Sequence, residues 1–171
     1  MLMYDICCGL KGASKTMLER GWRVVTIDND PAFDADIVAD VRDWHPVGLS
    51  PDLIWASPPC YEFARENMPW CRTGESPDLS IVEACWRIIR EANPRYWIIE
   101  NVRGAMPYLG QPAFIYGAFY LWGFFPVLGN IIKDYRKKES YGSQQKAERA
   151  RIPSRLSLAV ARAIESSRVL I

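Results

Sequence analysis

The chain has 171 residues and a net charge of +1, from 21 basic and 20 acidic side chains, which suits one domain spanning 1–171. That balance excludes a polybasic tail protein and an acidic disordered chain, and 49% hydrophobic residues supply a core. Five cysteines, with Cys7 and Cys8 adjacent and no C-x-x-C, exclude a disulfide framework and a zinc ribbon and point to the reducing cytoplasm.

Met1 leads almost at once into an apolar run without a basic flank, so no signal peptide is expected. Tyr4–Cys7 reads as a first strand, broken by Gly9 and Gly12. Ser14 is the expected N-cap of a helix to Arg20, stopped by Gly21. Arg23–Ile27 is a β-branched strand closing on Asp28 and Asp30, and Asp36–Ala39 closes on Asp40. Asp52–Ala56 runs into Ser57-Pro58-Pro59-Cys60. Asp78 or Ser80 starts a helix through Ala92, with Ile81, Ala84, Cys85, Ile88 and Ile89 on its apolar stripe. Tyr96–Ile99 is the next strand and ends on Glu100-Asn101.

Continuous apolar runs alternating with helices predict an α/β fold, a mostly parallel sheet with helices on both faces. Gly9, Asp28, Asp40, Cys60 and Glu100 all follow strands, at the edge where open α/β sheets bind ligands.

No charged residue appears between Arg103 and Lys133, but scattered Gly and Pro favour short aromatic strands over a membrane span. Two strands, an antiparallel pair, are expected from Phe119 to Ile132, turning near Pro126 or Gly129. Lys133–Arg155 carries eight basic and three acidic residues, interleaved with Tyr135 and Tyr141. That pattern fits phosphate contacts as well as a solvated loop. Pro153 precedes a helix from Ser154 to about Arg168, with Leu156, Ala159, Val160, Ala163 and Ile164 as its buried stripe.

Glycines after a first strand let a ligand approach the backbone, although Gly9 and Gly12 do not complete G-x-G-x-x-G. Asp28 follows Gly9 by 19 residues, close to the spacing at which such folds hold ribose hydroxyls. Two prolines stiffen the loop before Cys60 and present it as a positioned nucleophile, whereas Cys7, Cys8 and Cys85 read as packing. Cys71 sits in a polar loop with no assigned role. Glu100, at the mouth of an apolar site, is expected to have a raised pKa and to donate a hydrogen bond, and Asn101 to fix neighbouring loops. His45 is the sole histidine and the cysteines lack ligand spacing, so no metal site is expected.

In that order, Gly9–Gly12, Asp28, Asp40, Pro58-Pro59-Cys60 and Glu100-Asn101-Val102 resemble the DNA cytosine-5 methyltransferase family, over roughly Tyr4 to Gly104. The resemblance implies a class I, Rossmann-like methyltransferase fold binding S-adenosyl-L-methionine in the cytoplasm. By that likeness Asp5, Gly9 and Gly12 lie along the methionine part, Asp28 at the ribose, and Asp40 with Val41 at the adenine edge; Pro58 belongs with them. Cys60 and Glu100 are the implied catalytic pair, with Pro59, Asn101, Arg103, Arg149 and Arg151 toward the substrate. A Cys60 thiolate would add to cytosine C6 so that C5 accepts the methyl group, with Arg65 or Arg103 as the positive neighbour favouring the thiolate.

The chain departs from the family pattern in several places. Cys7 and Lys11 replace an aromatic residue and a glycine of the first turn, and Tyr61, Phe63 and Ala64 follow Cys60 where the family usually has Gln, Phe and Ser. Gln111 and Gln144–Arg151 only echo the family's Gln-x-Arg-x-Arg signature, while Arg151-Ile152-Pro153 resembles the segment closing the cofactor site. Family members are longer and carry a target-recognition region, for which Gly104–Lys133 leaves no room. The implied partner is therefore nucleic acid, with DNA as the substrate class as in restriction-modification, read with help from a specificity subunit or a homodimer. Two alternatives remain: an amino-methyltransferase, since Ser57-Pro58-Pro59 begins its motif, and a non-catalytic cofactor-binding module that completes a partner.

Overall fold

The computed structural model describes residues 1–65, 68, 72–129, 131, 148 and 150–168. Cys71, Arg149 and nearly all of the basic stretch from Lys133 lie outside the described residues.

The strands are β1 (Leu2–Ile6), β2 (Arg23–Asp28), β3 (Ile37–Val38), β4 (Leu53–Ala56), β5 (Tyr96–Asn101), β6 (Phe114–Tyr116) and β7 (Phe119–Phe124). They form one seven-stranded sheet in the order β3-β2-β1-β4-β5-β7-β6. β3, β2, β1, β4 and β5 pair in parallel, and β7 runs antiparallel to both β5 and β6. The expected mostly parallel α/β sheet with an antiparallel C-terminal pair is what the chain forms.

Burial explains the central order. The side chains of β4 are all buried and β1 is buried from Met3 onward, so these apolar strands need cover on both faces. One face packs on α1 (Gly12–Glu19) and α5 (Ser154–Arg168), where Met3, Leu53, Trp55 and Ile98 meet Ala13, Met17, Leu156 and Val160. The other receives α3 (Ser80–Ala92), whose Ala84, Cys85, Ile88 and Ile89 cover Tyr4, Ile6, Ile54 and Ile99. Asp78 accepts from the Ser80 backbone N–H at 2.8 Å and begins α3; Asn93, at φ 46, ends it.

The local differences from expectation have physical causes. α1 begins at Gly12, because the Ser14 hydroxyl is spent on Asp5 instead of capping. Strand β1 stops at Ile6, since Cys7 turns into the left-handed region at φ 56. The hairpin lies earlier than expected: β6 and β7 reverse across Gly117, at φ 61, and not near Pro126 or Gly129. On α3 the buried stripe takes Val82 in place of Ile81, and on α5 it takes Ser157 and Ala161 in place of Ala159 and Ala163. Among the described residues no helix is long and apolar enough to cross a membrane.

Candidate active site

The candidate residues from the parallel half lie at or just beyond the carboxyl ends of the strands, so the sheet order arranges them in space. Asp40 follows β3, Asp28 closes β2, the glycine turn follows β1, Cys60 follows β4 and Glu100 lies on β5. The strand order reverses between β1 and β4, and open α/β sheets form their ligand crevice at such a point.

The glycine turn alternates left-handed residues: Cys7 at φ 56, Gly9 at φ 47 and Lys11 at φ 55. Two of the three are not glycine, so the turn stores backbone strain. The Gly9 N–H donates to Asp28 Oδ2 at 3.0 Å, and the Asp30 N–H donates to Asp28 Oδ1 at 3.0 Å. Each Asp28 oxygen keeps a further lone pair for a hydroxyl. No atom lies within 4 Å of where a Gly9 side chain would project, so this side of the turn is open. Gly12 differs: a Cβ there would stand 2.6 Å from Ile152 N and 2.7 Å from Ile152 O. The Ile152 backbone thus fills the space at Gly12 and holds the start of α5 on the turn.

Asp5 is 1% exposed, and burial pushes its pKa up to about 7 despite the hydrogen bond it accepts from Ser14. Asp40 accepts from Arg42 Nε at 3.0 Å, and that guanidinium holds its pKa down to about 2. Val41 is buried in the core, and Arg87 of α3 fastens the segment by donating to the carbonyls of Val41 and Trp44, both at 2.8 Å. His45 Nδ1 lies 3.0 Å from Glu91 and 2.8 Å from Arg87.

Cys60 is half-buried at the N-terminus of α2 (Tyr61–Ala64), on a loop with Pro58 buried and Pro59 exposed. Asn101 fixes that loop: its Nδ2 donates to the Pro58 carbonyl at 3.0 Å, while its Oδ1 accepts from the Val102 N–H at 2.9 Å. With 1% of its surface exposed, Asn101 holds protein to protein. Glu100 is buried, which raises its pKa to about 8, against the lowering effect of a hydrogen bond from Ser57. In the parallel register Ala56 pairs with Ile99, so Ser57 and Glu100 are the next neighbours along the strands. Burial first, then the Glu100 charge, pushes the Cys60 thiol up, which puts the two groups within electrostatic reach of each other.

Among the described residues, the cation expected beside Cys60 is not one of the influences on its thiol. Arg65 pairs with Glu62 at 3.0 Å and donates to the carbonyls of Glu75 and Ser76, while Arg103 is exposed on the turn after β5. Arg151 lies on the glycine turn, its side chain against Gly12, and pairs with Glu148 at 3.0 Å. The cysteines read as packing divide: Cys8 and Cys85 are buried, whereas Cys7 is half-buried. Sequence reasoning missed Ser57 and Ser14; parallel register is the signal that would have found Ser57.

This strand order, with one reversed strand and its candidate residues gathered along the carboxyl edge, is the class I methyltransferase fold. No family model matches the sequence. The chain is similar to the "Probable DNA (cytosine-5)-methyltransferase" of Frog virus 3 (isolate Goorha), with 29% identity over 117 residues. That match takes in 59% of this chain and 53% of the viral protein, so the chain spans about half the length of this curated relative. Among solved structures, an E. coli prophage protein described as a "putative DNA modification methyltransferase" matches with TM-score 0.48 and 20% identity, over 62% of this chain and 33% of that one. The S. pombe Dnmt2 methyltransferase matches with TM-score 0.42 and 16% identity, over 62% and 36%.

Proposed function

We propose that this chain is a methyltransferase using S-adenosyl-L-methionine to methylate C5 of cytosine in DNA. The observation that carries the reading is the pair of Cys60, on the loop after β4, and Glu100, on the adjacent strand β5, with Glu100 holding its proton to about pH 8. The likeness to the viral protein supports it.

The open side of Gly9 and the spare lone pairs of Asp28 suit an adenosyl donor, with Asp5 behind the turn. Asp40 and Val41 would reach it through backbone groups, since the Asp40 carboxylate is held by Arg42 and the Val41 side chain is buried. The bound donor supplies an electrophilic methyl group. The chain's own residues prepare the base: the Cys60 sulfur bonds C6, and Glu100 gives its proton toward N3, so the electrons pushed onto the ring are neutralised and C5 becomes nucleophilic. The C5 proton then passes to a solvent base, the C6–S electron pair leaves with the Cys60 sulfur and the N3 proton returns to Glu100, with S-adenosylhomocysteine as the coproduct. Among the described residues no cation is an influence on the Cys60 thiol, so protonated Glu100 matters twice: it donates to the base, and it removes a negative charge facing the sulfur.

The base must leave its stack to reach Cys60. A separate specificity subunit or a second copy of the chain would supply target recognition. The test is trapping on 5-fluorocytosine DNA with radiolabelled donor. A covalent adduct with wild type that vanishes in Cys60→Ala is expected, and methyl recovered on an exocyclic nitrogen after nucleoside digestion would overturn the scheme.

A further inference from the structure

Two exposed aromatic rings lie on the short helices that follow the proposed catalytic pair in the chain. Tyr61, 53% exposed, is the first residue of α2 and directly follows Cys60. Tyr108, 46% exposed, lies on α4 (Met106–Leu109), reached from Glu100 through Asn101, Val102 and the short turn Arg103–Ala105. A single exposed aromatic ring needs no explanation. Two on the helices that lead away from Cys60 and Glu100 do.

The helices carrying them are braced. The Tyr108 ring meets that of Phe63, with centroids 5.8 Å apart and planes tilted by 53°. Phe63 is itself buried in a cluster with Val82, Ala105 and Trp122. On α2, Glu62 pairs with Arg65, which also donates to the Glu75 and Ser76 carbonyls. The held Tyr108 ring loses little freedom on meeting a ligand, and Arg103 places an exposed cation in the same segment.

We propose that Tyr61 and Tyr108 are a stacking platform for unpaired bases flanking the cytosine delivered to Cys60, so that the substrate class is DNA in single-stranded or locally opened form. This rests on the reading of Cys60 and Glu100 as a nucleobase site. Every base offers a π face to a tyrosine ring only when it is not stacked in a duplex, which makes such a platform tolerant of sequence and selective for unpaired strands. The tyrosine at 61 lies where the resembled family has glutamine, so the platform belongs to this chain's own sequence.

The test is fluorescence anisotropy of the full chain with a fluorescein-labelled, cytosine-containing oligodeoxynucleotide, either single-stranded or annealed to its complement. Tighter binding of the single strand is expected, with Tyr61→Ala and Tyr108→Ala each weakening it about tenfold. Tyr61→Phe and Tyr108→Phe should keep the wild-type affinity and melting temperature; Tyr108→Ala also loses the Phe63 ring contact, so binding is compared at a temperature where melting curves show every variant folded. Binding that is indifferent to both tyrosines, or tighter to the duplex, overturns the platform and leaves the methyltransferase reading standing. Binding of neither DNA form overturns both.

Discussion

Asn101 and Pro58 are joined by a buried hydrogen bond of 3.0 Å that ties the end of β5 to the loop presenting Cys60. The Pro58 carbonyl cannot turn to another partner, because two successive prolines fix the loop. Asn101→Ala should therefore lower stability by about 1–3 kcal/mol, the cost of leaving a buried acceptor unpaired. The measurement is urea denaturation, paired with the rate of Cys60 alkylation. A loosened loop makes that rate faster and less dependent on temperature. Unchanged values of both would refute the tie.

Cys60 and Glu100 share a protonation problem that iodoacetamide can read. Below about pH 7 Glu100 carries its proton and exerts no charge on the sulfur; above about pH 8 its carboxylate holds the thiol back. Glu100→Gln should leave alkylation of Cys60 unchanged at pH 6 and accelerate it several-fold at pH 9, since a neutral amide raises no barrier to the thiolate. Equal rates for the two proteins at pH 9 would separate the groups electrically.

Much of this edge was legible in the sequence because strand ends announce themselves. Asp28, Cys60 and Glu100 each follow an apolar run that only a sheet can bury, and their order on the edge follows from the expected parallel topology. What escaped were relations across the sheet. Glu62, three residues before Arg65, offered its guanidinium a partner, but nothing in the chain order shows that the Glu75 and Ser76 carbonyls accept from it as well. Nor does Ser14 advertise that it serves Asp5 when its position suits a helix cap equally well. The hairpin was displaced because Gly117 is one residue among many small ones, and Pro126 looked the stronger turn signal.

Gly9 and Gly12 should respond differently to alanine. At Gly9 the new methyl meets nothing within 4 Å, so the cost is the conformational one of holding alanine at φ 47, about 1 kcal/mol. At Gly12 the methyl meets backbone atoms of Ile152, so α5 must shift, at roughly 1–3 kcal/mol. Hydrogen exchange should show α5 losing protection in Gly12→Ala alone. Equal protection in both variants would mean that Ile152 does not rest on the turn.

Arg87 is the clamp on the segment after β3. It donates to the carbonyls of Val41, Arg42 and Trp44 at 2.8, 3.3 and 2.8 Å. Arg87→Met keeps the aliphatic stem and removes the donors. The expected result is a weaker affinity for S-adenosylhomocysteine by calorimetry, with α3 intact by circular dichroism; undiminished affinity would detach this segment from the donor pocket.

Two of the buried acids, Asp5 and Glu100, set the direction of the pH dependence of stability. Asp5 moves from an ordinary 3.8 to about 7, and Glu100 from 4.5 to about 8, both chiefly because burial disfavours the charge. The unfolded chain releases these protons near pH 4, whereas the folded chain keeps them until pH 7–8, so between those limits the native state binds more protons. Their contribution is present below pH 4 and is lost as pH rises through 7 and 8, at about 1.4 kcal/mol per pH unit for each group. The carboxylates with lowered pKa, Asp36, Asp40, Asp78, Glu91 and Glu165, act at the acid end and leave the range above pH 5 to the buried pair. Urea midpoints should fall from pH 5 to pH 8, and Asp5→Asn, which keeps a neutral partner for Ser14, should flatten the fall. A midpoint that holds or rises over that range would mean that Asp5 and Glu100 are solvated in the folded chain.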